Sequence, residues 1–293
     1  MDNFQKVKVQ IINAFVDNDK GGNPAGVVLN ADNLTNEQKL SIAAKAGLSE
    51  TAFVSKSKIA HFKLDFFTPT RQIAHCGHAT IATFSWLSQS GLIKNEHSSK
   101  ETIDGIRDIL IRGDLAFMEQ KQPLYREIKD YKEKILNSLG LQEGDMLPNA
   151  PILIVNTGNS FAIVPVADDN ALKKITPDFD LITQISDEFD LIGYYVFSTK
   201  TDSKERSATA RMFAPRYGIE EEAGTGMAAG PLACYLYDIL GIKKDRILIQ
   251  QGWFMKIPSP SLIIVDLTLD DGKIAKIMAG GKGISITSMT IEV

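Results

Sequence analysis

Apolar positions along this chain keep two rhythms, every second residue in some stretches and every third or fourth in others, and the ordered set of stretches comes round twice. Val7 to Val16 and Val27 to Leu29 read as strands, with the Asp, Asn, Lys and Gly residues of Asp17 to Gly22 as the turn between them. Asn36 to Ala46 reads as a short helix with Leu40, Ala43 and Ala44 on one face. Thr35 and Gln38 suit a capping box at its start, and Gly47 stops it. Phe62 to Phe67 has strand composition and is broken by Thr68-Pro69. From Gly77 to near Gly91 a helix follows that carries Ile81, Phe84 and Leu87 on one face and Trp86 on another, with small residues between. Such a helix is apolar nearly all round, so it belongs inside the fold, enclosed by other elements. The polar stretch from Asn95 to Gly105 reads as a loop, and Ile106 to Met118 as one or two strands.

The second half repeats this order. Gly158-Asn159-Ser160-Phe161-Ala162-Ile163-Val164 answers Gly22-Asn23-Pro24-Ala25-Gly26-Val27-Val28, and Phe213-Ala214-Pro215 answers Phe67-Thr68-Pro69. Ala223-Gly224-Thr225-Gly226-Met227-Ala228-Ala229-Gly230 then opens a helix with Leu232, Tyr235, Leu236 and Ile239 at helical spacing, closing at Gly241. Between these lie strands at Ile152 to Val155, Phe161 to Val166, Tyr194 to Ser198 and Ala208 to Phe213, and a helix started by Thr176 and Pro177. Pro123 to Leu139 reads as containing an amphipathic helix. Ile247 to Gln250, Leu262 to Leu269, Lys273 to Met278 and Gly283 to Ile291 complete the sheet. The chain therefore reads as two copies of one α+β unit: residues 1–120, which the last strand at about 283–293 can complete, and residues 121–282.

Composition narrows the function classes more than it selects among them. A chain of 293 residues is long enough for two cores, and 44% hydrophobic residues with a net charge of -4 describe a soluble globular protein. No basic run or basic-aromatic alternation suggests nucleic acid. No apolar run is long enough to span a bilayer, and Met1-Asp2-Asn3-Phe4-Gln5 lacks a signal-peptide core, so a cytoplasmic location is expected. Cys76 and Cys234 stand without a framework and read as reduced thiols.

Candidate chemistry sits where the two copies differ. Glu50, in Ser49-Glu50-Thr51-Ala52-Phe53, lies between a helix end and a strand, and its counterpart near Gly193 has no carboxylate. Packing alone would let the copies be alike, so the difference points to chemistry. Helix amides opening at the two glycine corners are natural seats for an anion such as a substrate carboxylate. His75, Cys76 and His78 resemble a metal cluster but lack an obvious fourth ligand, and no metal is expected. Gly224-Thr225-Gly226 lacks the lysine of a nucleotide loop. Cys234, inside the second apolar helix, reads as core.

Gly22-Asn23-Pro24-Ala25-Gly26, Ser49-Glu50-Thr51-Ala52-Phe53, Phe67-Thr68-Pro69, Cys76-Gly77-His78-Ala79-Thr80 and the glycine-alanine helix start near Gly224 occur here in the order of the PhzF-like isomerase family, named for phenazine biosynthesis, which this chain resembles over nearly its whole length. The resemblance implies the diaminopimelate epimerase fold: two pseudo-symmetric α+β domains, each a curled, mostly antiparallel sheet around a central helix, with the active site in the cleft between them. It also implies a homodimer, a small carboxylic acid as substrate and no cofactor. The family's general acid/base glutamate falls on Glu50 and its active-site histidine on His78. Asn23, Ser49, Cys76, Gly77, Glu222, Gly224, Thr225, Gly226 and Met227 fall at substrate-binding positions. The family's usual aspartate is here Glu222, its serine is Met227, and a frequent glutamate is Gln72. The implied reaction is an isomerisation in which Glu50 takes a proton from one carbon and returns it to another, while His78 and helix amides hold the developing negative charge. Two rival readings are a two-cysteine racemase, which would need a thiol at Ala223 beside that of Cys76, and a homologue that binds a small acid without turnover.

Overall fold

The computed structural model describes residues 5–201 and 203–293. Residues 1–4, on which the reading of the start of the chain largely rests, lie outside the described residues. The chain divides into two units, Met1–Glu119 with Gly280–Val293, and Gln120–Ala279.

The first unit runs β1 (Lys6–Ala14), β2 (Asn23–Val28), α1 (Asn36–Ala46), β3 (Thr51–Ser55), β4 (Phe62–Phe67), β5 (Gln72–Ile73), α2 (Gly77–Gln89), β6 (His97–Thr102), β7 (Gly105–Arg112) and β8 (Leu115–Gln120). The second runs β9 (Leu124–Glu127), α3 (Lys132–Ser138), β10 (Leu153–Asn156), β11 (Ser160–Pro165), α4 (Asp169–Lys174), α5 (Phe179–Phe189), β12 (Gly193–Ser198), β13 (Ala208–Ala214), β14 (Ile219–Glu222), α6 (Gly226–Asp238), β15 (Arg246–Gln251) and β16 (Ser261–Asp270). The long β17 (Lys273–Glu292) carries the chain from the second unit back to the first.

In the first unit β1 pairs antiparallel with β2 and with β17, β2 pairs parallel with β3, β3 antiparallel with β4, and β4 parallel with β6, which continues antiparallel through β7 to β8. β17 also pairs with β8, and a Cβ on its Gly280 would stand 2.1 Å from the Ala116 carbonyl. The last strand thus closes the sheet around α2, whose residues from Gly77 to Ser85 and Leu87 are buried. Even its polar interior residues are tied in: Thr83 Oγ1 donates to the Ala79 carbonyl, and Ser85 Oγ accepts from the Gly283 amide at 2.7 Å. α1 packs on the sheet through Ile42 and Ala43, with Val28, Phe53 and Phe67 beneath.

The second unit repeats the pattern. β11 runs parallel to β12, β12 antiparallel to β13, and β13 parallel to β15. α6 is buried along most of its length, as α2 is, while α3, α4 and α5 supply Ile135, Leu172, Ile182 and Ile185 to a second core with Tyr194, Val196 and Phe213. The strand ladders give the internal alignment residue by residue. Thr51 sits opposite Gly26 and Phe67, and Tyr194 sits opposite Ala162 and Phe213. The residue matching Glu50 is therefore Gly193, where a Cβ would stand 2.1 Å from the Phe213 carbonyl. No side chain fits there.

The structure corrects three local expectations. Residues 95–105 are not a loop: β6 lies within them, hidden because its inward residues are Ser98, Lys100 and Thr102. The helix expected from Thr176 begins later, capped by Asp178 through the Leu181 amide, while Thr176 Oγ1 donates to Lys174. Pro123 to Leu139 does contain the expected helix, α3, with an exposed strand, β9, ahead of it. The last two expected strands are the single β17.

Candidate active site

Glu50 follows α1, whose end is fixed by Gly47 in the left-handed region at φ 67°, and precedes β3. Its carbonyl accepts from the Gly26 amide at 3.0 Å, which ties it to β2. Gly26 is required here, since a Cβ on it would stand 2.7 Å from Thr51 Oγ1. The Glu50 side chain is buried, and its Oε2 lies 3.4 Å from His78 Nε2. That separation is an ion-pair distance, but the angles do not make a hydrogen bond, and Oε2 has no hydrogen-bond partner. His78 stands in the first turn of α2, with Nδ1 3.6 Å from Cys76 Sγ. Three residues from two motifs thus converge, and each is buried. Burial holds the Cys76 thiol above its usual pKa, an effect partly opposed by His78 and the Ala79 amide.

His75 leaves this group. Its Nδ1 lies 3.2 Å from Lys100 Nζ, which also donates to Thr80 Oγ1 at 2.6 Å and stands 5.1 Å from the centre of the Phe66 ring. Thr80 Oγ1 in turn donates to the Cys76 carbonyl at 2.6 Å. A wholly buried lysine from β6 thereby braces the entry to α2 from behind. Desolvation lowers its pKa to about 7, and desolvation with the neighbouring Lys100 lowers that of His75 to about 2. Lys100 was missing from the sequence-based candidates because it lay in the supposed loop. Asp104-Gly105, a hairpin dipeptide between two strands, was the available signal.

The remaining candidates in the first unit are arranged unevenly. Asn23 is buried at the start of β2, Gly77 is buried at the start of α2, Ser49 is exposed, and Gln72 lies in β5. In the second unit, Thr225 Oγ1 donates to Glu222 Oε2, and the buried Gln251 side chain binds the Thr225 amide, the Thr225 hydroxyl, the Glu222 carbonyl and Tyr195 Oη. One amide expected to be open to an anion at this corner is therefore already engaged. Met227 Sδ accepts from Asn159 Nδ2 at 3.5 Å, so the thioether replacing the family's serine keeps a weak polar contact. Gly224 and Gly226 flank Thr225 and are buried. Ala223 is also buried and offers no thiol, and Cys234 lies deep in α6 with its pKa raised by burial. Among the described residues, no helix is long and apolar enough to cross a membrane.

Residues 12–288 match the family model described as phenazine biosynthesis-like protein, PhzC-PhzF. An uncharacterized isomerase of Clostridium acetobutylicum is 35% identical over 241 residues, covering 80% of each chain. The crystal structure of a PhzF-family phenazine biosynthesis protein from Bacillus anthracis superposes with a TM-score of 0.88 at 26% identity, covering 99% of this chain and 100% of that one. At 14% identity, a hydroxyproline epimerase from Agrobacterium vitis shares the fold, with a TM-score of 0.60 over 100% of this chain and 93% of that one.

Proposed function

This chain belongs to the phenazine biosynthesis-like PhzC-PhzF family and is an isomerase, and we propose that Glu50 carries the proton it moves on a small carboxylic acid. The observation that supports this reading is the buried Glu50 Oε2, which faces His78 without a hydrogen bond to occupy it. An oxygen in that state has a lone pair available to a C–H proton. Once protonated, the carboxyl can return the proton to a different carbon, so one group serves both steps. His78 Nε2, on the same side, holds the negative charge that develops when the proton leaves. The first turn of α2 adds the field of its amides. Asn23, Ser49, Cys76 and Gly77, in the same unit as Glu50 and His78, carry the assignment to substrate contact.

The deciding experiment needs no prior substrate. The protein is incubated with a metabolite extract in deuterated water, and mass shifts are compared for wild type, Glu50→Gln and Cys76→Ala. Glu50→Gln is expected to lower deuterium incorporation by about 10²-fold or more, and Cys76→Ala, which removes only a substrate contact, to lower it by less. Incorporation that survives Glu50→Gln and vanishes in Cys76→Ala would instead assign the proton to the thiol. A metabolite retained by wild type with no exchange and no product would make the chain a binder.

A further inference from the structure

The group formed by Glu50, Cys76 and His78 has a second chemistry open to it. One donor atom from each residue, a carboxylate oxygen, a sulfur and a ring nitrogen, lies within 4.8 Å of the other two. Zinc held by such ligands at about 2.0–2.3 Å sets its donor atoms about 3.3–3.8 Å apart. The 3.6 Å from Cys76 Sγ to His78 Nδ1 and the 3.4 Å from His78 Nε2 to Glu50 Oε2 already have that size. The imidazole now offers a different nitrogen to each neighbour, so a turn of the ring with a small inward shift of one partner is the adjustment required. Glu50 Oε2 is buried without a hydrogen bond and aimed into the group, and a buried carboxylate oxygen left in that state is stabilised by a cation. Charge also balances, since one carboxylate and one thiolate neutralise a divalent ion and the filled site buries no net charge. His75, the ligand nearest in sequence, is engaged with Lys100; Glu50, distant in sequence, takes its place.

We propose that Glu50, Cys76 and His78 form a three-ligand site for a zinc-class divalent cation, with one coordination position open, and that filling it stops proton transfer. The second half rests on Glu50 being the proton carrier; the first half does not. On ligation Cys76 releases its thiol proton to solvent and binds as thiolate, with Glu50 as carboxylate and His78 as neutral imidazole. A metal-bound Glu50 no longer has a free oxygen for a carbon-bound proton.

The test is a titration of the chelator-treated, full-length protein with Co²⁺ under anaerobic conditions. The expected result is one cobalt per chain, a near-ultraviolet thiolate-to-cobalt charge-transfer band, and the intense visible bands of four-coordinate cobalt, all bleached by Zn²⁺. Cys76→Ser removes the sulfur band, Glu50→Gln weakens binding about 10-fold or more, and Cys234→Ser changes neither. Circular dichroism confirms that each variant is folded. A folded wild type without the sulfur band, or a band that survives Cys76→Ser, overturns the site. Deuterium exchange by the chelator-treated protein that Zn²⁺ leaves undiminished overturns the inhibitory half alone. If the chelator-treated wild type shows no exchange, the isomerase reading and the inhibitory half fail together, and the cobalt spectra still decide the site.

Discussion

Lys100 is buried and His75 half-buried, the two bases share a contact, and folding strips the proton from each over a different pH range. The lysine falls from 10.5 unfolded to about 7 folded, so between these values the unfolded chain holds a proton the folded chain lacks. Stability therefore rises with pH across that window, with a limiting slope of about 1.4 kcal/mol per pH unit. For His75 the same logic applies from about 2 to 6.5, where stability is lost as the pH falls. Urea unfolding of wild type and Lys100→Met at a series of pH values should show the difference in stability, wild type minus variant, increasing from pH 7 toward 10.5. A flat difference would mean that the buried amine keeps its ordinary proton affinity. Sequence singled out Glu50 because the repeat breaks there, on the premise that packing would let the copies be alike; the fold corrects that premise, since at Gly193 the Phe213 carbonyl leaves no space for a Cβ and packing by itself forbids a glutamate in the second copy. Gly193→Ala is accordingly expected to cost about 3 kcal/mol or more in urea unfolding. Lys100 was not legible, because a lysine among serines and threonines has the composition of a loop, and only the strand on either side shows which way it points.

Elements whose ends are set by local chemistry were the ones sequence located well. α1 is bounded by the reciprocal Thr35 and Gln38 hydrogen bonds and by Gly47, all within a few residues of chain. Thr35→Ala should lower stability by about 1 kcal/mol. What attaches α1 to the sheet is less local. Lys39 donates to Asp65 of β4 at 2.6 Å, with both side chains buried, and Lys63 approaches the same carboxylate at 3.9 Å. Removing one partner leaves a buried charge, so Lys39→Met should cost about 3 kcal/mol, the low end of the usual range because Lys63 remains. The double variant Lys39→Met/Asp65→Leu should recover most of that loss, and thermal unfolding of the three proteins measures the difference. Elements placed by partners distant in the chain were read poorly. β6 is defined by its pairing with β4 and β7, and α5 begins at Asp178 because its backbone is anchored to Ser138.

For the whole molecule, the repeat of strand directions around α2 and α6 is what sequence conveyed best, since glycine corners and apolar helices recur in order. The first unit takes its final strand from the far end of the chain, where β17 pairs with β1 from Lys6 opposite Glu292 to Ala14 opposite Gly283. Deleting residues 283–293 should therefore abolish amide-exchange protection in β1 and in α2 while sparing the core of α3, α4 and α5. Hydrogen exchange with mass spectrometry resolves the two regions.

That closing strand also sets an order of events at the ribosome. Residues 120–279 are all translated before the peptide that completes the first unit, so they can consolidate while the opening segment waits, its β1 edge uncovered, for residues 280–293 to emerge. A chain released before residues 283–292 are made would keep that edge bare and open to pairing with another strand.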